Sequence, residues 1–130
     1  MNRTAIAATV VLLAGVTIAS SAQVVDPKGS VQNLADVEVR NAIEGIHSHR
    51  FDGSTVRFTR VEADQGARSP DHNHANEQFL FLQTGSLRCL LGDDEYLLVP
   101  GDVVWIPAYV RHHMIALEDS VWLEAHGPGF

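Results

Sequence analysis

The chain has 130 residues, of which 45% are hydrophobic, and a formal net charge of -7, with 9 Lys and Arg against 16 Asp and Glu. This length fits one small domain that can bury a core without disulfides or a structural metal. The acidic balance and the lack of any basic run argue against nucleic-acid binding, which relies on clustered Lys and Arg. Cys89 is the single cysteine of the sequence, which excludes an intramolecular disulfide.

The N-terminus has the features of a signal peptide. Arg3 precedes an uncharged, largely apolar run over residues 4–18, and Ser20 and Ala22 are small residues at the positions that signal peptidase reads. We expect residues 1–22 to be removed, which predicts a secreted or periplasmic protein with no membrane attachment after cleavage. The alternative is a retained anchor, although the run is slightly short for a bilayer span and no positive flank follows it.

The next segment, residues 23–50, is expected to form an N-terminal arm. Residues 24–45 are polar and irregular, with a turn predicted at 26–29 and at most a short helix within 31–39. We assign this arm no chemistry, and the histidines at 47 and 49 are expected to lie in a solvated loop.

From Phe51 onward, short β-rich runs alternate with turn residues, so residues 51–130 are predicted to form one domain. The even spacing favours an antiparallel sandwich or barrel. The predicted strands are 55–63, 77–83, 87–91, 96–99, 103–106, 113–117 and 121–125.

The histidines of this domain suggest a metal site. His72 and His74 are two residues apart, so on a strand both side chains leave the same face, as two ligands of one ion require. Gln78 keeps that parity, whereas Glu77 points the other way unless a bulge intervenes. Gln78 is therefore favoured as a further ligand, with Glu77 as the alternative.

A third imidazole has to come from another strand. His112 follows the corner at Ile106–Pro107, and the adjacent His113 has the opposite parity. Three neutral imidazoles and an amide oxygen suit a divalent transition metal, with Zn, Ni, Fe, Cu and Mn all allowed by ligand type. Open positions on the ion would remain for water or substrate.

Two spacings make the sequence resemble the cupin family. The first cupin motif, G-x5-H-x-H-x3,4-E-x6-G, is matched at Gly66, His72, His74, position 78 and Gly85, with Gln78 in place of Glu. The second, G-x5-P-x-G-x2-H-x3-N, is matched at Gly101, Pro107 and His112, while Tyr109 and Ala116 depart from it. The resemblance implies an all-β, antiparallel double-stranded β-helix, also called a jelly roll.

A narrower likeness is to the pectin-degradation cupins, which act on unsaturated uronates. It rests on the Glu77–Gln78 pair, the run 100–107 and the run 116–120. The resemblance implies that His72, His74, Gln78 and His112 are the metal ligands. The tail 126–130 departs from the Pro-Pro-Arg-type ending of that subfamily, so substrate contacts from such a tail would be missing.

Several residues are further candidates for substrate binding or catalysis. Arg57 and Arg60 have opposite parity on one strand, so at most one of them enters a cavity, where it could bind a carboxylate. Arg68 is a third possible cationic group. Tyr109 is either an acid at the pocket rim or a packed corner.

The sequence also predicts a partner and a function. Phe79 and Phe81 share a face opposite Gln78, and because cupins commonly pair by sheet packing we expect a homodimer. The expected function is metal-dependent isomerisation or ring opening of a small sugar-acid-like substrate, with an unsaturated uronate as the leading candidate. The alternatives are an iron-dependent dioxygenase and a non-catalytic module that binds a metal or a small ligand.

Overall fold

The computed structural model describes residues 29–127. The predicted signal peptide, the start of the arm and residues 128–130 of the tail lie outside this range. Within it, no helix is both long and apolar enough to cross a membrane.

The fold consists of two antiparallel sheets. The larger sheet has six strands in the order β1-β2-β3-β9-β4-β7, and the smaller has three in the order β6-β5-β8. The strands are β1 (Val39–Ile43), β2 (Ile46–Asp52), β3 (Arg57–Ala63), β4 (Gln78–Thr84), β5 (Leu87–Leu91), β6 (Asp94–Leu98), β7 (Val103–Ile106), β8 (His112–Ala116) and β9 (Ser120–His126). A single turn of 3-10 helix, Leu34–Asp36, precedes them. The predicted all-β antiparallel architecture is confirmed.

The core lies between the two sheets and follows from alternation along the strands. In β4, Gln78, Leu80 and Leu82 are buried while the residues between them are exposed, because successive side chains of a strand point to opposite faces. Leu87 of the facing sheet and Ile106 of β7 are also fully buried. The inward face of β4 therefore carries Gln78 at one end of an otherwise apolar row.

The segment before β4 is held against the smaller sheet. Isolated antiparallel bridges join Arg68 to Ile115 and His72 to His112, and the backbone amides and carbonyls of His72 and His112 exchange hydrogen bonds of 2.9 and 3.2 Å. This pairing fixes His72 beside the first residue of β8, although His72 itself belongs to no named strand.

The residues predicted to be an irregular arm differ from that prediction. Residues 39–52 form a hairpin, β1–β2, whose second strand pairs with β3 along its whole length. Ile43 and Ile46 pack at its turn, where Gly45 adopts a φ of 70°. The sequence pattern of this hairpin looks irregular because β1 is an edge strand that is exposed at every residue except Ile43. It therefore lacks the apolar face that marks a strand in a sequence. The histidines at 47 and 49 accordingly lie on a strand, not in a loop.

Candidate metal centre and cavity

Three imidazoles converge at one end of the fold. The ligand nitrogens of His72, His74 and His112 all lie within 4.8 Å of one another. Two nitrogens bound to one zinc ion at 2.0–2.1 Å are separated by about 3.4 Å in tetrahedral geometry. Movements of the rings by about 1 Å would therefore bring all three nitrogens into range of a single ion.

The orientation of each ring is fixed by the backbone. The Nδ1 atoms of His72, His74 and His112 hydrogen-bond to the carbonyl oxygens of Pro70, Asn76 and Val110, at 2.8, 2.5 and 2.9 Å respectively. A carbonyl can only accept, so each Nδ1 carries the proton and each neutral ring presents an unprotonated Nε2. Such bonds are the usual outer contacts of histidine ligands.

The Nε2 atom of His112 has an unsatisfied hydrogen-bonding capacity within the described part of the chain. It is buried and has no hydrogen-bond partner, a condition that costs free energy unless something binds the atom. Burial lowers the pKa of His112, which the Val110 carbonyl only partly opposes. A neutral, buried nitrogen without a partner is what a metal ligand requires before the ion arrives.

Gln78 lies beside this triad, and Glu77 does not. The Gln78 side chain is buried, with Oε1 at 2.9 Å from Nε2 of His74. In a neutral His74 ring with Nδ1 protonated, both facing atoms are acceptors, an arrangement that a cation between them or a Gln78 amide turned to present its NH2 group would relieve. Glu77 is exposed on the other face, where its carboxylate accepts a hydrogen bond from the indole of Trp105. Gln78 and not Glu77 therefore faces the imidazoles. Residues 73–77 belong to no named strand, so strand parity alone does not account for this outcome.

A cavity of about 410 Å³ opens beside the imidazoles. Its polar lining includes a row of side chains from three neighbouring strands. Gln78 of β4 pairs with His126 of β9, and His126 pairs with Arg57 of β3. Arg57 is 8% exposed, and its Nε lies 2.5 Å from Oδ1 of Asp52. Of the three predicted arginines, Arg57 is the one that lines the cavity.

Glu124 supplies the cavity with a carboxyl group that the sequence analysis missed. It lies on β9 between Trp122 and His126, which also line the cavity, and its Oε1 accepts a hydrogen bond of 2.7 Å from Nε1 of Trp122. Desolvation raises the pKa of Glu124, and the Trp122 hydrogen bond partly opposes this rise. The alternation of Trp122, Glu124 and His126 along one strand was the signal that could have revealed it.

The other sequence candidates lie away from the cavity. Arg60 pairs with Glu62 on the opposite face of β3. Arg68 is exposed. Tyr109 is 71% exposed at a φ of 65°, an uncommon conformation for any residue but Gly, and does not line the cavity. It occupies a corner, with its amide hydrogen-bonded to the carbonyl of His74 at 2.7 Å.

Two further residues, His113 and Cys89, lie apart from the site. His113 is buried, with Nδ1 at 4.0 Å from the Asp71 carboxylate, and burial lowers its pKa. Cys89 is fully buried in the core, where desolvation raises the pKa of its thiol to about 11. Cys89 therefore packs as a small hydrophobic residue.

Comparison with protein families agrees with this geometry. The family model described as Cupin domain matches residues 59–125. The chain belongs to the cupin family. A comparison with curated protein sequences gave no significant match.

Solved structures share the fold of this cupin. KdgF from Halomonas sp. is 24% identical with a TM-score of 0.73, over 79% of this chain and 96% of that one. An RmlC-like cupin from Shewanella frigidimarina is 16% identical with a TM-score of 0.73, over 78% and 93% of the two chains. A cupin-superfamily sugar phosphate isomerase from Silicibacter pomeroyi is 21% identical with a TM-score of 0.68, over 77% and 76%. These likenesses confirm the jelly-roll fold.

Proposed function

We propose that this cupin is a metal-dependent enzyme that isomerises or ring-opens a small sugar-acid-like substrate, with an unsaturated uronate as the leading candidate. The observation that carries the proposal is a cluster of three imidazoles, two of which line a cavity that is also lined by the Glu124 carboxyl group and the buried Arg57 guanidinium. His72, His74 and His112, with Gln78 as the fourth ligand, would hold a divalent ion such as Zn, Ni, Fe or Mn. When bound, the ion would act as a Lewis acid toward a substrate oxygen.

Glu124 is suited to move the proton that such a reaction requires. Because its pKa is raised, the carboxyl can hold a proton closer to neutral pH than an ordinary glutamate, which suits general acid-base catalysis. The hydrogen bond from Trp122 holds Oε1 and orients the group. Oε2 then gives or accepts the proton at the substrate.

Arg57 is the cationic group that we assign to the substrate carboxylate. It lies two strands from Gln78 in the same row of the sheet, with His126 between them. Neighbouring strands are about 4.8 Å apart, so the Arg57 and Gln78 backbones are separated by roughly 10 Å. A monosaccharide can bridge that distance once both side chains reach into the cavity.

An iron-dependent dioxygenase and a non-catalytic binding module are the alternatives. Three or four neutral ligands leave adjacent positions open on iron, which favours the first. Cupins host many chemistries on one barrel, so the fold alone does not choose among them.

The experiment is to reconstitute the purified protein separately with Zn, Ni, Mn and Fe and to follow the absorbance of an unsaturated uronate. We expect the chromophore to be lost with at least one metal, and Glu124→Gln to slow this loss while the metal remains bound. Absence of turnover with every metal would contradict the proposal. Oxygen consumption in the presence of the substrate, seen with the iron-loaded protein and with no other metal form, would favour the dioxygenase.

We also propose a secreted or periplasmic homodimer. The outer face of the large sheet carries exposed apolar side chains, because Phe79 pairs with Trp105 and Phe81 with Val103 across β4 and β7. Contiguous exposed apolar surface on a small protein commonly marks an interface. A second copy of the chain, presenting the same face, is the occupant that we propose. Export depends on the predicted signal peptide, residues 1–22.

A further inference from the structure

Three arginines line the cavity. Arg40, Arg50 and Arg57 come from three adjacent strands, β1, β2 and β3. The chain as a whole has a net charge of -7, so this concentration of positive charge runs against its composition. Arg40 and Arg50 belong to the β1–β2 hairpin, which lies outside residues 59–125 that match the family model.

One carboxylate partly neutralises this group. Oδ1 of Asp52 lies 3.2 Å from Nε of Arg50 and 2.5 Å from Nε of Arg57, which fixes the two guanidiniums beside each other. Asp52 itself does not line the cavity, whereas all three arginines do. Among the described residues that line the cavity, Glu124 is the acidic one, and its raised pKa reduces the negative charge that it adds.

Arg50 has donors left to bind an anion. A guanidinium carries five N–H donors in a planar fork, and the hydrogen bond from Arg50 to Asp52 uses the one on Nε. Its side chain is 22% exposed, so a ligand in the cavity can reach it. The fork matches the two oxygens of a carboxylate.

The sheet register places this group at a distance suited to a small substrate. Arg50 of β2 pairs with Thr59, and Thr59 pairs with Glu124, so the Arg50 and Glu124 backbones are roughly 10 Å apart. The cavity volume of about 410 Å³ lies in the lower part of the usual range for small-molecule sites. One ligand can therefore lie with its anionic group on the hairpin side and its reacting carbon near Glu124.

We propose that the β1–β2 hairpin completes a carboxylate-binding subsite, in which Arg50 joins Arg57 and Arg40 stands at the rim, and that this subsite selects sugar acids over neutral sugars. The inference deepens the proposed function and rests on it for the identity of the substrate. Anion selection by the hairpin, however, requires neither a metal nor turnover.

The test measures the binding of D-galacturonate and of neutral D-galactose by NMR titration. The purified protein is titrated in its metal-free and its metal-loaded forms. We expect Arg50→Gln to weaken galacturonate binding about 10- to 100-fold, because hydrogen bonds to charged groups contribute about 1.5–3 kcal/mol. Galactose binding should change little. Arg60→Gln is the matched control, since Arg60 lies on the opposite face of β3 and pairs with Glu62.

Arg50→Lys separates charge from geometry, and thermal unfolding of each variant checks that the fold is intact. Lysine keeps the charge but lacks the fork, so partial recovery of galacturonate binding is expected. Equal galacturonate affinity of Arg50→Gln and Arg60→Gln, or equal affinity of the wild type for both sugars, would overturn the subsite. Anion-selective binding without turnover would instead contradict the proposed function and leave the subsite standing.

Discussion

Replacement of Gln78 by alanine tests the fourth ligand of the metal site. Structural zinc sites bind with about 10–16 kcal/mol, which is about 2.5–4 kcal/mol for each of four ligands, and a neutral amide oxygen belongs below that share, at about 2 kcal/mol. We therefore expect Gln78→Ala to weaken metal affinity about 30-fold. The metal-free variant should lose little stability, because Gln78 lines the cavity, where water can replace its 2.9 Å contact with Nε2 of His74.

These two expectations combine in one thermal-unfolding experiment. At a metal concentration 100 times the wild-type Kd, the ion stabilises the wild type by about 2.7 kcal/mol, whereas a 30-fold weaker site gains about 0.9 kcal/mol. The metal-induced rise in Tm should therefore fall to about a third of the wild-type rise. Glu77→Ala is the control, since Glu77 contacts Trp105 on the outer face and should leave the metal effect unchanged. If Glu77→Ala lost the metal effect and Gln78→Ala kept it, the assignment would be refuted.

Two further substitutions test the carboxyl group and the interface. Glu124→Gln should stabilise the metal-free protein at neutral pH, because the raised folded-state pKa of Glu124 makes ionisation less favourable in the folded state. The difference in unfolding free energy between the variant and the wild type should grow by up to about 1.4 kcal/mol per pH unit, as the pH rises from the ordinary glutamate pKa to the folded-state pKa, and then stay constant. Urea titrations from pH 4 to 8 measure it, and a difference that stays constant over this whole range would contradict the prediction. Phe81→Arg, on the exposed face of β4, should convert the proposed dimer to a monomer in analytical ultracentrifugation with metal affinity retained, and an unchanged sedimentation coefficient would exclude that face as the interface.

Part of the candidate metal centre was predictable because its information is local. Gln78 is buried and Glu77 exposed, as alternation predicted, although β4 begins at Gln78 and the two histidines precede it outside any named strand. The placement of His112 came from its position after a corner, and the backbone pairing of His72 with His112 supplies the physical reason.

The rest of the cavity depends on which strands become neighbours. Parity separated Arg57 from Arg60 but could not say which of them faces inward, because that depends on where the core lies. For Glu124, alternation along β9 gives the face that it shares with Trp122 and His126, but the position of that face in the cavity depends on β9 lying between β3 and β4, a long-range pairing. Arg50 was missed for a related reason, because the polar hairpin gains its ordered structure from pairing with β3.

The central claim is that three imidazoles bind one divalent ion, and metal stoichiometry after loading and dialysis tests it most directly. We expect one ion per chain in the wild type and in His113→Ala, because His113 lies beside Asp71 and away from the cavity. His112→Ala, which removes the buried nitrogen that lacks a partner, should lose the ion. Equal metal content in the His112→Ala and wild-type proteins would contradict the account.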